Sequence, residues 1–511
     1  MRIHWVFWVL GAAILLPWNA MITAIPFFVE RMSNSPFRST FSSYFSAIYQ
    51  LTSFISLYIS SVTKSSKSSR IIFSHGILTI TLGSLFLSTL IPSRPLPFFI
   101  FSLTVGAIQA AAVSFLLTAV VAYAAYFGPM AMQSIMSGQA AVAVVVSIIQ
   151  LITILSTSSR GHHTTTPTTE PQPTKTPVSR SASYFFFIST MALSFSYMAY
   201  RRLTRMPLFR STVSTFEAAK VNQETAQYAA LPEDEPTVPF SAGIDSDEDE
   251  EGALLTMSTS VSSLPTPHGA GTLHASSAAP RETHHDPPLE GMGEVEPVQN
   301  AGFWRIWWTN AMFNVSVIII YVVTLAVFPA ITSAVKSVDP KSNPHIFTAV
   351  HFLVFNTSDW IGRYVCSYKL FQIWSRKTLM GLSVSRLLFI LLFLACNVSL
   401  GALPTTPDEP ASTSIAPRMI LTQRNDKDIS FVISDTAFFV LLAAFGFTNG
   451  WLTSLIMMAA PSLEHNKRMR KEWVDTAAVC GSFSLAAGLT LGSGLNFVIR
   501  GLACGCNPFL H

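Results

Sequence analysis

Charge is scarce in this sequence, and acid is scarcer still outside one stretch. Only 12% of its 511 residues are Asp, Glu, Lys or Arg, against about 25% in a soluble globular chain. A compact body made of such residues lacks the ionic surface that water demands. Sixteen of the 28 acidic residues fall between Glu217 and Glu296, leaving twelve for the rest. That split excludes one uniform globule and reads as a membrane protein with a single long soluble loop. The formal net charge of +4 averages two solvents and identifies no partner.

Cysteine is equally thin. Cys366, Cys396 and Cys480 stand in apolar runs and read as small buried residues. Cys504-Gly-Cys506 lacks the second Cys/His pair that a zinc site needs. The apolar runs hold no Ser/His/Asp or Cys/His set, no paired carboxylates and no HExxH, and the chain has no P-loop pattern GxxxxGK[ST]. An enzyme, a metal site, a cofactor and an ATP-driven pump are all without support, and nothing points to nucleic acid.

What the chain has in abundance is apolar length. A helix needs about 20 apolar residues to cross the hydrocarbon core. Runs of that order occupy residues 5–29, 41–61, 71–92, 97–124, 129–157, 183–200, 303–333, 344–369, 378–400, 430–459 and 473–500. The fold class is therefore all-α and polytopic, with about eleven transmembrane helices in the lipid bilayer. The first run exceeds a signal-peptide core and no small-residue cleavage site follows it, so no cleavable leader is expected. With the N-terminus inside, cytoplasmic turns carry fourteen Lys and Arg packed against helix ends, and the far side carries eleven in longer loops. That bias favours a cytoplasmic N-terminus and a C-terminus outside.

Three segments follow: a six-span bundle in 1–200, a loop in 201–302 and a five-span bundle in 303–511. The loop is rich in Ser, Thr, Pro and acid, as in Asp245-Ser-Asp-Glu-Asp-Glu-Glu251, and is expected to be disordered. Tyr228-Ala-Ala-Leu231 fits a tyrosine-based sorting signal, and Glu250 with Leu254 and Leu255 fits an acidic dileucine one. The plainer reading is a solvated acidic linker. The sorting reading brings cytoplasmic adaptors as partners and an endosomal or vacuolar membrane as an alternative to the plasma membrane.

Few polar residues interrupt the spans. Asp359 and Arg363 lie four apart in an apolar run, a spacing that pairs them on one helix face. A charged side chain at the bilayer centre costs roughly 2.5–3.5 kcal/mol on insertion scales, so such a pair has a partner or a purpose. It can bind a polar substrate, latch two helices or relay protons, although pairing with Arg363 argues against a proton carrier. Elsewhere, Leu15-Leu-Pro-Trp-Asn19 sets a kinking Pro beside an indole and an amide, Gln139 opens a small-residue stretch, and Asn449-Gly450 interrupts the tenth span. Arg386 lies near the expected cytoplasmic end, where it is expected to snorkel. A single self-compensating ion pair suits a neutral ligand: a flat heterocycle stacked on Trp18, with hydroxyls that take charge-assisted hydrogen bonds.

In order and spacing these islands resemble the equilibrative nucleoside transporters. Leu15-Leu-Pro-Trp-Asn19 is similar to that family's first-helix signature, and Phe127-Gly-Pro129 with Met136-Ser-Gly-Gln139 to its fourth-to-fifth turn. Val327-Phe-Pro-Ala-Ile-Thr332, Asp359-Trp-Ile-Gly-Arg363, Ser385-Arg-Leu-Leu-Phe-Ile390, Phe445-Gly-Phe-Thr-Asn-Gly450 and Asp475-Thr-Ala match later helices. The resemblance implies a major-facilitator-like arrangement of six plus five helices, alternating access, and nucleosides or nucleobases as substrates. It implies that Trp18 and Asn19 line the site, that Phe352 and Asn356 face a cavity, and that Asp359 and Arg363 bond the substrate. Gln139 is implied as a packing residue more than a ligand contact. The sequence departs from the family in the fourth helix, where Phe115-Leu-Leu-Thr118 replaces a substrate-reading Gln or Asn. Thr118 substitutes there, or Gln109 reaches in from about two turns earlier. Two other readings stay open: a porter of another small polar solute, and a non-transporting receptor or scaffold acting through 201–302. Removing residues 215–295 distinguishes the last from a transporter.

Overall fold

The computed structural model describes residues 2–32, 38, 41–63, 65–160, 177–229, 302–329, 331–332, 335, 337–339, 342–394, 396 and 434–504. The chain divides into two compact units, one of Met1–Gln223 with Ala301–His511 and one of Glu224–Asn300. The first unit is a helical body and holds every site described below.

Its first part contains α1 (Arg2–Thr23), α2 (Ile25–Arg31), α3 (Phe41–Val62), α4 (Lys67–Ser88), α5 (Pro95–Tyr126), α6 (Pro129–Arg160), α7 (Pro177–Leu203) and α8 (Pro207–Ala229). After the loop come α9 (Phe303–Thr309), α10 (Ala311–Val327), α11 (Pro344–Val365), α12 (Arg376–Ser385), α13 (Leu387–Leu394), α14 (Asp435–Ala459) and α15 (Val474–Cys504). Among the described residues nine helices are long and apolar enough to cross a membrane, and α9 with α10, bent by 84°, make a tenth. The polytopic all-α reading holds. The remaining expected span is α11, whose 22 residues include His345, His351, Asn356, Asp359 and Arg363. It stays in the bundle by packing on α14 and α6.

Close helix contacts depend on missing side chains. A Cβ at Gly450 of α14 would stand 1.9 Å from the Asp359 carbonyl oxygen, and one at Gly362 of α11 would stand 2.2 Å from that of Phe447. Backbone therefore meets backbone where α11 crosses α14, as small residues permit in lipid. The α1–α6 crossing uses Gly11 and Gly138 in the same way, and the α10–α15 crossing uses Gly488 and Gly492.

One boundary differs from the sequence reading. Residues 207–229, assigned to the disordered loop by composition, form α8. Averaging over 201–302 hid a local apolar stripe, Phe209, Val213 and Phe216, at helical spacing. Phe209 packs on Tyr123 and Phe127, and Phe216 stacks on Tyr126 with ring centroids 4.5 Å apart. Leu231, Glu250, Leu254 and Leu255 lie outside the described residues, as does the Tyr228 side chain. The three buried cysteines are free thiols, as read.

Adding one methyl group tests the crossing. Gly450→Ala should destabilise the purified protein by about 1–3 kcal/mol, the usual cost of overpacking, whereas Gly83→Ala, whose Cβ meets nothing within 4 Å, should be neutral. Thermal unfolding of the two variants in the same detergent checks this, and equal melting temperatures would refute it.

Candidate functional site

The α11 helix starts cleanly. Pro344 occupies its first turn, and the side chain of Asn343 accepts the His345 N–H at 3.0 Å. From there residues 351, 355, 359 and 363 fall one above another on the face turned to α14. Asp359 and Arg363 are both 7% exposed. Arg363 Nε donates to Asp359 Oδ2 at 2.8 Å, the pairing expected from their spacing.

The carboxylate has a second donor. Asn449 Nδ2 of α14 donates to Asp359 Oδ1 at 2.7 Å, and Asn449 Oδ1 accepts from the Thr324 hydroxyl of α10 at 2.7 Å. That hydroxyl accepts from Arg386 Nη2 at 3.1 Å. Arg386 also donates to the Phe445 carbonyl at 3.0 Å and to the Thr448 hydroxyl, with its guanidinium 4.6 Å from the Phe445 ring centroid. Here the expectation of snorkelling fails: Arg386 is 1% exposed. It stands at the break between α12 and α13, so the span is interrupted at this residue and its side chain turns inward to three oxygen acceptors. The buried network consequently holds two guanidinium groups and one carboxylate. The count of a single self-compensating pair is corrected to an excess of one cation.

Arg363 also reaches α6. Its Nη1 lies 3.4 Å from the Met136 carbonyl oxygen, and its own carbonyl accepts from Gln133 Nε2 at 3.0 Å. Higher on α11, Asn356 Nδ2 donates to Ser147 Oγ of α6 at 2.7 Å. Half-buried Phe352 packs edge-on against Phe328, centroids 5.4 Å apart. The pair therefore bonds to helices from both parts of the chain, α6 through Arg363 and α14 through Asp359.

Trp18 and Asn19 belong to a different cluster. Trp18 packs on Tyr49 and Phe45 of α3, with centroids 4.5 and 5.9 Å away. Asn19 turns back on its own helix and donates to the Leu15 carbonyl at 3.0 Å. Among the described residues no hydrogen bond or ring contact joins this cluster to the α11 residues. Half-buried Gln139 makes no side-chain hydrogen bond there either, and its neighbour Gly138 sits in the α1–α6 crossing.

The two α5 candidates separate sharply. Thr118 spends its hydroxyl on Ser60 of α3, at 2.6 Å, and on carbonyls of its own helix. Gln109 is fully buried with both amide atoms unpartnered, and so is the Tyr49 hydroxyl. Phe45 meets Gly106, and Ser53 meets Ser114 at a sequence separation of 61. The same register sets Tyr49 level with Ala110. An orphaned buried amide costs about 1–3 kcal/mol, and both ring nitrogens of His351 on α11 are orphaned in the same way.

A further polar centre was unread in the sequence beyond the Asp475 motif. Asp475 of α15 takes Lys220 of α8 at 2.6 Å, Lys67 of α4 at 3.1 Å and the Tyr126 hydroxyl of α5 at 3.0 Å. It ties the start of α15 to the first part of the chain. The signal was an acid beside a span with basic residues across the bundle, but α8 had been read as loop.

A sequence model described as nucleoside transporter matches residues 102–407 and 417–501, well over half of the chain. The chain belongs to the nucleoside transporter family. Equilibrative nucleoside transporter 1 of Rattus norvegicus is 25% identical over 97% of this chain and 96% of its own length. Equilibrative nucleoside transporter 1 of Mus musculus is 32% identical over 37% of this chain and 36% of its own. Equilibrative nucleoside transporter 2 of Homo sapiens is 31% identical over 39% of this chain and 37% of its own. This transporter-family member is an integral multi-pass membrane protein.

Shared charge gives this network a testable order. Asp359→Leu leaves two buried cations uncompensated, whereas Arg363→Leu leaves the carboxylate balanced by Arg386. Breaking a buried pair costs about 3–5 kcal/mol, so the Asp359 variant should lose the most folded protein. Equal losses in yield and melting temperature would show that Arg386 does not serve this carboxylate.

Proposed function

We propose that this protein carries nucleosides, and nucleobases with them, across a membrane by alternating access. One observation carries the reading: the buried Asp359–Arg363 pair is at once a polar site and a tie between the two parts of the chain. A ligand that draws hydrogen bonds from Arg363 and Asn356 competes with Met136 and Ser147 of α6. Binding thereby loosens the contact that must part when the site turns to the other side. The excess buried cation favours an acceptor-rich ligand, and a nucleoside offers ring nitrogens, carbonyls and ribose oxygens.

In this reading Asp359 and Arg363 take the hydroxylated sugar, Trp18 stacks on the base, and Phe352 and Asn356 border the space between. Asn19 braces the α1 turn that carries Trp18. Gln109 supplies a donor and an acceptor for the base edge, the role that Thr118 has no free hydroxyl to fill. With the N-terminus cytoplasmic, the Asp475 cluster closes the cytoplasmic end. The family assignment supports transport over a scaffold role. A deletion that tests the scaffold should begin after residue 229, because removing 215–229 takes Lys220 from Asp475.

Uptake of radiolabelled adenosine, uridine and adenine into proteoliposomes, at an acidic and a neutral pH, tests the proposal. Wild type should show saturable uptake, and Asp359→Asn should lower it by about tenfold or more, the worth of a charge-assisted hydrogen bond. No uptake of any of the three by wild type would end this reading.

Gln109→Leu gives a separate signature. It removes two orphaned polar atoms, so thermal stability should hold or rise. The adenosine-to-uridine uptake ratio should shift by several-fold, up to about tenfold. A stable variant with an unchanged ratio would remove Gln109 from the site.

A further inference from the structure

The sharp corner between α9 and α10 has no part in the site above. α9 is bent 84° from α10, and its Trp304 and Trp308, four residues apart, are 47% and 68% exposed. Indoles belong at the headgroup level of a bilayer, where one end is apolar and the other wet. A short helix turned across the span axis, with two such indoles exposed, marks this corner as lying at the membrane surface.

A cavity of about 50 Å³ opens at the same corner, lined by Trp308, Asn310, the first turn of α10, Arg376, Asn466 and Arg468. Its frame is fixed. Asn466 Nδ2 donates to Asn310 Oδ1 and to the Ala460 carbonyl, both at 2.8 Å, and both asparagines are buried. This amide pair pins the α14–α15 connection to the corner and holds Arg468 at the rim, while Arg376 enters from the first residue of α12. No carboxylate lines the space.

Four other cations at this end of the chain are already engaged. Lys67 and Lys220 bind Asp475, Arg470 covers the Trp473 ring at 4.8 Å, and Lys471 lies 5.4 Å from the Phe216 ring centroid. Among the described residues the side chains of Arg376 and Arg468 have no acid, hydrogen-bond or ring partner. The N-terminal turn of α10 at the cavity has no side-chain cap. Two unspent guanidinium groups converge on a small space at the membrane surface. They fit a phosphate, to which guanidinium binds through paired N–H donors. The volume is far below the roughly 300 Å³ of a small-molecule pocket.

We propose that this corner binds the phosphate head of an anionic phospholipid, with Arg376 and Arg468 on the phosphate and Trp304 and Trp308 against the glycerol and upper acyl chains. It is a lipid site separate from the transport path. The full-length protein in phosphatidylcholine nanodiscs, doped with phosphatidylserine or phosphatidylinositol 4-phosphate, tests it by native mass spectrometry of retained lipid. Wild type should retain the anionic lipid over phosphatidylcholine. Arg376→Gln with Arg468→Gln should weaken retention roughly 30-fold, at about a factor of five per cation. The Arg376→Lys, Arg468→Lys pair, which keeps both charges, should retain most of it. Lys377→Gln with Lys467→Gln, exposed at the same end but outside the cavity, should change little. Equal loss in that control pair would reduce the effect to diffuse attraction and overturn the site. So would unchanged retention in the Gln pair, and displacement of the lipid by millimolar inorganic phosphate would assign the cavity to a soluble anion instead.

Discussion

One carboxylate at bilayer depth organises the second part of this molecule. Asp359 is affordable there only because Arg363 and Asn449 both donate to it, and because a second guanidinium, Arg386, reaches it through Thr324 and Asn449. Those partners come from α10, α11, α14 and the α12–α13 break, so satisfying one charge fixes four elements. The geometry in turn requires Gly450. Asn449 reaches Asp359 because its neighbour lets α14 approach within backbone contact of α11. Polar satisfaction and close packing are here one constraint, since in lipid an unmet polar group has no water to turn to.

Different materials join the helices within each part and across the two. Within them, α1–α6, α11–α14 and α10–α15 cross on glycine, backbone against backbone, with no flexible side chain between. Such crossings are stiff, because backbone cannot yield as a side chain does. Across the parts the ties are side chains: Gln133 and Met136 to Arg363, Ser147 to Asn356, and Lys67, Tyr126 and Lys220 to Asp475. Phe54 and Phe483 add a stacked ring contact between α3 and α15. Interhelical hydrogen bonds in membranes are worth about 0.6 kcal/mol on average, so a few of them hold one arrangement without forbidding another. Stiff halves with replaceable ties suit the alternating access proposed above.

Much of this was legible because charge in an apolar run is costly and therefore informative. The Asp359–Arg363 pair followed from spacing alone, and ten of the eleven expected spans are helices long and apolar enough to cross a membrane once the α9–α10 bend is allowed. Arg386 was misread because run length suggested a span end, and only three dimensions show the helix breaking at that residue and the side chain turning inward. α8 was hidden by the composition of the loop it opens. Gln109 was discounted by its distance along α5 from the family position. Its isolation from every polar partner is a property of packing that no linear spacing contains. The sorting-like patterns involve residues outside the described set.

The same logic explains why the least apolar span is the central one. A helix bearing His351, Asn356, Asp359 and Arg363 is a poor membrane segment by itself and is stable only when neighbours supply partners. α11 is accordingly packed between α14 of its own part and α6 of the other. The α14 face meets the carboxylate with a fixed amide and close backbone, whereas α6 meets Arg363 through Gln133 and Met136, and Asn356 through Ser147. A ligand that replaces the α6 partners spares α11 from facing lipid or an empty space unsatisfied. On the alternating access proposed above, the insertion cost of α11 becomes selective: α6 leaves only when a molecule rich in hydrogen-bonding atoms has taken its place.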